Sequence, residues 1–305
     1  MGFSNVYGLP GFTSAERAGA RVLDGAAIAA ELRAEVAAEV AALLARGMPA
    51  PALATILVGE DPASAVYVAA KHRACAEVGI DSIDHRLAAD CSPVAVAELI
   101  GECNADPTVS AILLQLPLPL GFDSAALVDA ISPAKDVDGL CSANVGALWR
   151  SRPGLAPCTP QGVVELLARS GIELRGTRAT IVGRSELVGR PLAAMLLAAD
   201  ATVTVCHSRS RDLVARCAEA DLLVAAIGRP HALGRAHVKP GATVIDVGIT
   251  RTEDGLRGDV DFEAVRTRAG AITPVPGGVG PMTIACLLQN TVKAHRRVHG
   301  ASPGT

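Results

Sequence analysis

The sequence is poor in aromatic residues, with four Phe, two Tyr and one Trp in 305 positions. Its core must therefore be aliphatic, and platforms for stacking single-stranded nucleic acid are missing. There is no excess of either charge: 28 basic side chains face 31 acidic ones, and the pI is near 6.2. That balance provides no electrostatic footprint for nucleic acid or anionic lipid. No apolar run approaches the roughly 20 residues of a membrane span. The longest, around residues 112–120, is broken by Gln115, Pro117 and Pro119. The eight cysteines include no Cys-x-x-Cys pair. His72 with Cys75, and Cys206 with His207, lack a second pair at zinc-ligand spacing, so small buried thiols are the plainer reading and no metal is expected. Residues 1–20 scatter Gly, Pro and Ser without the apolar stretch of a signal peptide and read as a loose tail. A soluble, cytoplasmic chain is the expectation.

What is present is a folded composition: 50% of the residues are apolar and 19% charged, which excludes a disordered chain or a coiled coil. Helical periodicity covers residues 23–45, 63–78 and 93–103, alternating with short aliphatic runs at 53–59, 82–87 and 110–116. The second half repeats the theme. Strands are expected at 178–182, 201–206, 222–226 and 243–247, with helices near 161–170, 189–198, 213–219 and 282–298. Strands alternating with helices imply parallel sheets with right-handed crossovers. The fold class is therefore α/β in two domains: an N-terminal α/β substrate domain and a C-terminal Rossmann-like, doubly wound parallel-sheet domain. Residues 133–160 carry no long periodic segment and are expected to connect the two across a cleft. The last helix is expected to return to the first domain.

Chemistry concentrates in a few places. After the strand at 178–182, Gly183-Arg184-Ser185 with Gly189 forms a strand–turn–helix unit of the kind that offers backbone N–H groups to a phosphate. The next strand ends in His207-Ser208-Arg209-Ser210, with no acid to receive a ribose 2′-hydroxyl. Hydroxyls and guanidiniums there, with Arg184, favour a 2′-phosphate and hence NADP over NAD; the alternative is that Arg209 caps a surface loop. In the first half, Ser64, Tyr67 and Lys71 fall on one helix face, although a Tyr and a Lys at this spacing are commonly surface residues. Gln115 ends a buried strand between Leu114 and Leu116, where open α/β sheets bind ligands. Lys135-Asp-Val-Asp138-Gly is, by itself, an acidic turn. The segment 273–283, rich in Pro and Gly, forms a rigid loop suited to lining a ligand.

Taken together, these blocks resemble the bifunctional methylenetetrahydrofolate dehydrogenase/methenyltetrahydrofolate cyclohydrolase (FolD) family. The matching segments run in family order: Val58-Gly-Glu-Asp-Pro-Ala-Ser64 with Tyr67 and Lys71, Gln115-Leu-Pro-Leu-Pro119, Lys135-Asp-Val-Asp-Gly139 and Pro157-Cys-Thr-Pro160. They continue through Val182-Gly-Arg-Ser185, Cys206-His-Ser208, Val238-Lys-Pro-Gly241, Val244-Ile-Asp-Val-Gly-Ile249 and Pro274-Val-Pro-Gly-Gly-Val-Gly-Pro-Met-Thr283. The resemblance implies that Lys71 is the catalytic lysine, Tyr67 the ring against the pterin, Gln115 the partner of the lysine and Asp138 the carboxylate on the pterin edge. Ser64, Leu114, Leu116, Pro276, Gly277, Gly278, Val279 and Gly280 join these as substrate contacts. Gly183, Arg184, Ser185, Ser208, Arg209 and Ile249 fall at NADP positions. It also implies a tetrahydrofolate substrate, possibly polyglutamylated in the cell, a homodimer, and a place in one-carbon metabolism and purine biosynthesis. The folate-binding catalytic domain then spans 21–143 with 281–300, and the NADP domain 144–280. Two departures stand out: Ser110-Ala111 where His-Gly is common, and Arg209-Ser210 where Lys/Arg-Thr is common. Other NAD(P)-dependent oxidoreductases, such as an amino-acid dehydrogenase, and a non-catalytic folate or nucleotide binder are the competing readings.

Overall fold

The computed structural model describes residues 19–300, so the tail expected over residues 1–20 lies outside the described residues except for its last two. The chain opens with β1 (Arg21–Val22), α1 (Gly25–Ala45), β2 (Ala52–Val58), α2 (Pro62–Val78), β3 (Asp81–Leu87), α3 (Pro93–Ala105) and β4 (Ala111–Leu114). Local chemistry sets these boundaries. Asp24, Asp61 and Ser92 each cap a helix by accepting from the backbone N–H three residues on, and Pro62 and Pro93 occupy first turns where no N–H is needed. α2 stops at Gly79, in the left-handed conformation. β2 is buried along its whole length and lies centrally in a parallel three-stranded sheet ordered β3-β2-β4.

Two short helices follow, α4 (Ser124–Asp129) and α5 (Ser142–Trp149), and then α6 (Cys158–Arg169). Within the stretch 133–160, expected to connect the two halves, lie α5 and the first turn of α6. α5 is only two turns long, too short for periodicity to show. The second half comprises β5 (Arg178–Val182), α7 (Gly189–Ala198), β6 (Thr202–Cys206), α8 (Leu213–Ala218), β7 (Leu222–Ala225), β8 (Thr243–Asp246), the hairpin β9 (Thr250–Thr252) and β10 (Gly255–Arg257), α9 (Phe262–Arg266), β11 (Ala271–Ile272) and α10 (Val279–Val298). Its sheet is parallel throughout, in the order β1-β11-β8-β7-β5-β6. Arg21 and Val22, assigned by sequence to the first domain, instead pair with Ala271 and Ile272 at the edge of the second sheet. A two-residue strand has no periodicity to reveal its partner.

α10 packs on α1 and α6 and also touches α2, β2 and β4, so it joins both halves. α1 presents Leu32, Val36, Val40 and Leu43 to the shared core, each such burial contributing about 1.5–3 kcal/mol. Within this core α10 also buries His295, which shares a 2.9 Å hydrogen bond with Ser110, the first of the two departures, whose Oγ accepts from Ala52 N–H at 3.1 Å. Burial, reinforced by the positive charges of His299 and Arg296, pushes the His295 pKa down to about 4 from 6.5. The unfolded chain takes up this proton as the pH falls below 6.5 and the folded chain does not, so stability drains away between about pH 6.5 and 4. The stability advantage of the wild type over His295→Gln should shrink by about 2 kcal/mol between pH 7 and pH 5, read from urea unfolding at both pH values. A constant difference would refute it. Comparison with the variant is needed because Asp246, pushed up to about 6 chiefly by burial, titrates in the opposite sense.

Candidate active site

Lys71 enters the site from α2, one turn beyond Tyr67 and two beyond Ser64. Asp61 accepts from Ser64 N–H at 2.8 Å and fixes the start of that helix. Ser64 and Lys71 are buried, at 4% and 9% exposure, so the lysine stem lies within the protein. Lys71 Nζ donates to Gln115 Oε1 at 3.0 Å, and Gln115 Nε2 donates to Leu116 O at 2.6 Å. Gln115 follows directly on β4, and its own N–H donates to Ile56 O at 2.9 Å. The amide is thereby held with its oxygen toward the lysine. Leu114 is placed differently: its side chain is buried in the core beside Ile56, leaving its main chain near the site.

The acidic turn divides into structural and site residues. Segment 135–138 runs beside β4, where Ile112 N–H donates to Lys135 O at 2.7 Å. Lys135 Nζ donates to the carbonyls of Cys103, Asn104 and Asp106 and closes the C-terminal end of α3. Asp136 is buried and accepts from Cys141 N–H at 2.9 Å and Asn144 Nδ2 at 3.0 Å. Asp138 remains for the site. Burial pushes its carboxyl above the usual carboxylate range, against the opposing pull of the Lys71 charge. Burial likewise holds the Cys158 thiol well above its ordinary range, so the thiol stays neutral and a donor. In the sequence Cys158 stands only inside the block Pro157-Cys-Thr-Pro160, with no role attached, because a single cysteine carries no metal-ligand spacing.

The second half supplies the opposite wall. Residues 183–185 leave β5 and residues 207–210 leave β6; the register pairs Val182 with Cys206, so the two turns emerge side by side. Gly183 sits at φ 132°, and a Cβ there would lie 2.1 Å from Ala226 O. Ser185 Oγ accepts from Val188 N–H at 3.1 Å and orders the entry to α7, while Ser210 Oγ accepts from His207 N–H at 2.9 Å. Arg184, Ser185, Ser208 and Arg209 are exposed around this edge. Two guanidiniums, two hydroxyls and a helix N-terminus, with no carboxylate at the end of β6, fit a dinucleotide bearing an extra phosphate.

Two cavities adjoin the neighbours of the Lys71–Gln115 pair: Leu116, next to Gln115, lines the first, and Tyr67, one turn before Lys71, lines the second. One, of about 570 Å³, has Leu116 and Pro117 on one side and Arg184, Ser185 and Leu187 on the other. The second, of about 630 Å³, is lined by Tyr67, Ile249, Pro276, Gly277, Gly278, Val279 and Gly280. Ser208 and Arg209 line neither and lie at the outer end of the cofactor edge. The second cavity also holds the guanidiniums of Arg33, Arg73 and Arg251, which the sequence does not single out because they are remote from one another in the chain. Arg33 faces Glu77 at 3.8 Å.

Two further carboxylates, given no role by the sequence, shape the cofactor wall from behind. Asp259 accepts from the N–H groups of Ile227, Gly228 and Arg229 at 2.6, 3.0 and 2.7 Å, and Asp246 from those of Gly248, Asp259 and Val260 at 3.0, 3.0 and 2.9 Å. They hold the loops after β7 and β8, the second of which carries Ile249. The available signal was a charge inside the aliphatic run 244–249.

Residues 23–138 match the family model for the tetrahydrofolate dehydrogenase/cyclohydrolase catalytic domain, and residues 157–299 that for the NAD(P)-binding domain of the same enzymes. A relative named bifunctional protein FolD 2, from Frankia casuarinae, is 58% identical over 286 residues, covering 93% of this chain and 99% of its own. The crystal structure of the FolD methylenetetrahydrofolate dehydrogenase/cyclohydrolase from Campylobacter jejuni superposes with a TM-score of 0.89 at 45% identity, covering 90% of this chain and 98% of that one. The Trypanosoma brucei FolD structure, complexed with NADP and an inhibitor, gives a TM-score of 0.89 at 39% identity, covering 93% of this chain and all (100%) of that one. With both halves of the crevice matched in one chain and over nearly its whole length, the protein belongs to the tetrahydrofolate dehydrogenase/cyclohydrolase family.

Proposed function

We propose that this protein catalyses the NADP-dependent oxidation of 5,10-methylenetetrahydrofolate to 5,10-methenyltetrahydrofolate and its hydrolysis to 10-formyltetrahydrofolate in one crevice. The observation that carries this reading is the Lys71–Gln115 hydrogen bond, with Leu116 next to it lining the first cavity and Tyr67, one helical turn before Lys71, lining the second. The 630 Å³ cavity takes the folate, with its ring system against Tyr67 and its far end along the 276–280 loop. Arg184, Ser185, Ser208 and Arg209 hold the phosphates of NADP, which when bound supplies the hydride acceptor. In the hydrolysis, water adds to the one-carbon bridge and its oxygen loses both protons; one carbon–nitrogen bond breaks as its nitrogen takes up one of them, and the other is released to solvent. Lys71 moves those protons, Gln115 keeps its amine in place, and Asp138 orients the pterin edge.

The guanidiniums of Arg33, Arg73 and Arg251 support a substrate whose far end carries several carboxylates, as an oligo-γ-glutamyl tail does. All eight cysteines are free, which suits a reducing cytoplasm; there the protein acts as a homodimer feeding one-carbon units to purine biosynthesis. The decisive assay adds methylenetetrahydrofolate to the protein with NADP or NAD. NADPH absorbance should rise with NADP, and Arg209→Gln should raise the KM for NADP about tenfold while leaving that for NAD nearly unchanged. No signal with either cofactor would favour a non-catalytic binder, and activity only on an amino acid a different oxidoreductase.

A further inference from the structure

Asn290, on α10, is fully buried, yet it lies outside every motif of the crevice. Its Nδ2 donates to Val137 O and to Ala156 O, both at 2.9 Å, and lies 3.6 Å from Cys158 Sγ. Val137 immediately precedes Asp138. Ala156 lies two residues before Cys158, whose thiol donates to Val137 O at 3.2 Å. The two strands of chain that Asn290 bridges are in contact, since a Cβ on Gly139 would lie 2.5 Å from the Ala156 carbonyl carbon. On the other side, Asp136 is tied to Cys141 and Asn144, so Asp138 sits in a segment fastened at both ends.

Asn290 does this at a cost: its Oδ1 is buried without a hydrogen-bond partner, and an unpaired buried acceptor is destabilising. The same side chain satisfies two main-chain carbonyls that an apolar residue would leave without this donor. What the amide adds is a donor pair aimed at two carbonyls that flank the site carboxylate. We propose that Asn290 is a positioning residue of the reaction, one that sets Asp138 relative to Lys71 by clamping residues 137 and 156 onto α10. The inference rests on the role proposed above for Asp138.

A double-mutant cycle in the full-length enzyme tests it. Asn290→Ala should lower kcat/KM for both activities roughly 10- to 100-fold, as expected when a reacting group shifts by about 1 Å. NADP affinity should be unchanged, and the acid limb of the pH–rate profile should move because the surroundings of Asp138 change. Asn290→Ser, which keeps one donor, should fall between wild type and Asn290→Ala, and it serves in place of the alanine variant if that one folds poorly. In an Asp138→Asn background the same Asn290 substitution should cost less than about twofold, because the group it positions is already gone. Equal losses in both backgrounds would mean that Asn290 only stabilises the fold and would overturn the inference. Wild-type activity in Asp138→Asn alone would instead overturn the role of Asp138.

Discussion

Lys71→Gln should lower the cyclohydrolase kcat by roughly 100- to 10,000-fold, the span that positioned proton transfer contributes, while dehydrogenase activity falls far less. The two reactions make different demands on the same side chain. Oxidation removes a hydride from the one-carbon bridge and needs no proton moved at the lysine. Hydrolysis needs a proton taken from water and one delivered to nitrogen. Glutamine preserves a polar chain of similar length beside Gln115 Oε1, 3.0 Å from the native amine, but it cannot exchange a proton. Separate assays, NADPH formation for the first reaction and loss of methenyltetrahydrofolate absorbance for the second, should therefore diverge. Lys71→Arg should also lose hydrolysis, because the planar guanidinium cannot reproduce the geometry of the amine beside Gln115 Oε1 and is a poor proton carrier. Full cyclohydrolase activity in Lys71→Arg would end this assignment.

Gly183→Ala should cost about 3 kcal/mol or more in unfolding free energy and weaken NADP binding at least tenfold. The added Cβ would lie 2.1 Å from Ala226 O and 2.8 Å from its carbonyl carbon, and this backbone belongs to the exit of the neighbouring strand β7. Relief requires the turn to lift away from the sheet, which moves Arg184 and Ser185 off the cofactor edge. Gly176 is the control. It too has a positive φ, at 72°, but a Cβ there meets nothing within 4 Å, so Gly176→Ala should cost only about 1 kcal/mol of backbone strain and leave NADP affinity intact. Denaturant unfolding and cofactor titration read both variants. Equal effects at the two positions would mean that contact with Ala226 is not what Gly183 provides.

While the short elements β1, α4, α5, β9, β10, α9 and β11 leave no pattern in the local sequence, that sequence carries the longer helices and strands, the parallel α/β class and the chemistry of the cofactor turn. These rest on near-neighbour properties: periods of two and 3.6, capping side chains, and glycines at turns. The placing of Tyr67 and Lys71 on one side of α2 is of that kind. Tertiary structure alone decided that Lys71 meets Gln115, 44 residues away, and that of the two aspartates in the acidic turn one is a strut and the other faces the lysine. Only the packed chain put Arg21 and Val22 in the far sheet, turned the Leu114 side chain into the core, and assembled Arg33, Arg73 and Arg251 around one cavity. It likewise brought Asn290, Cys158, Asp246 and Asp259 to the loops they hold. The physical reason is range. Periodicity assigns a residue to a face, but which faces and loops come together depends on burying apolar surface and closing long loops across the whole chain.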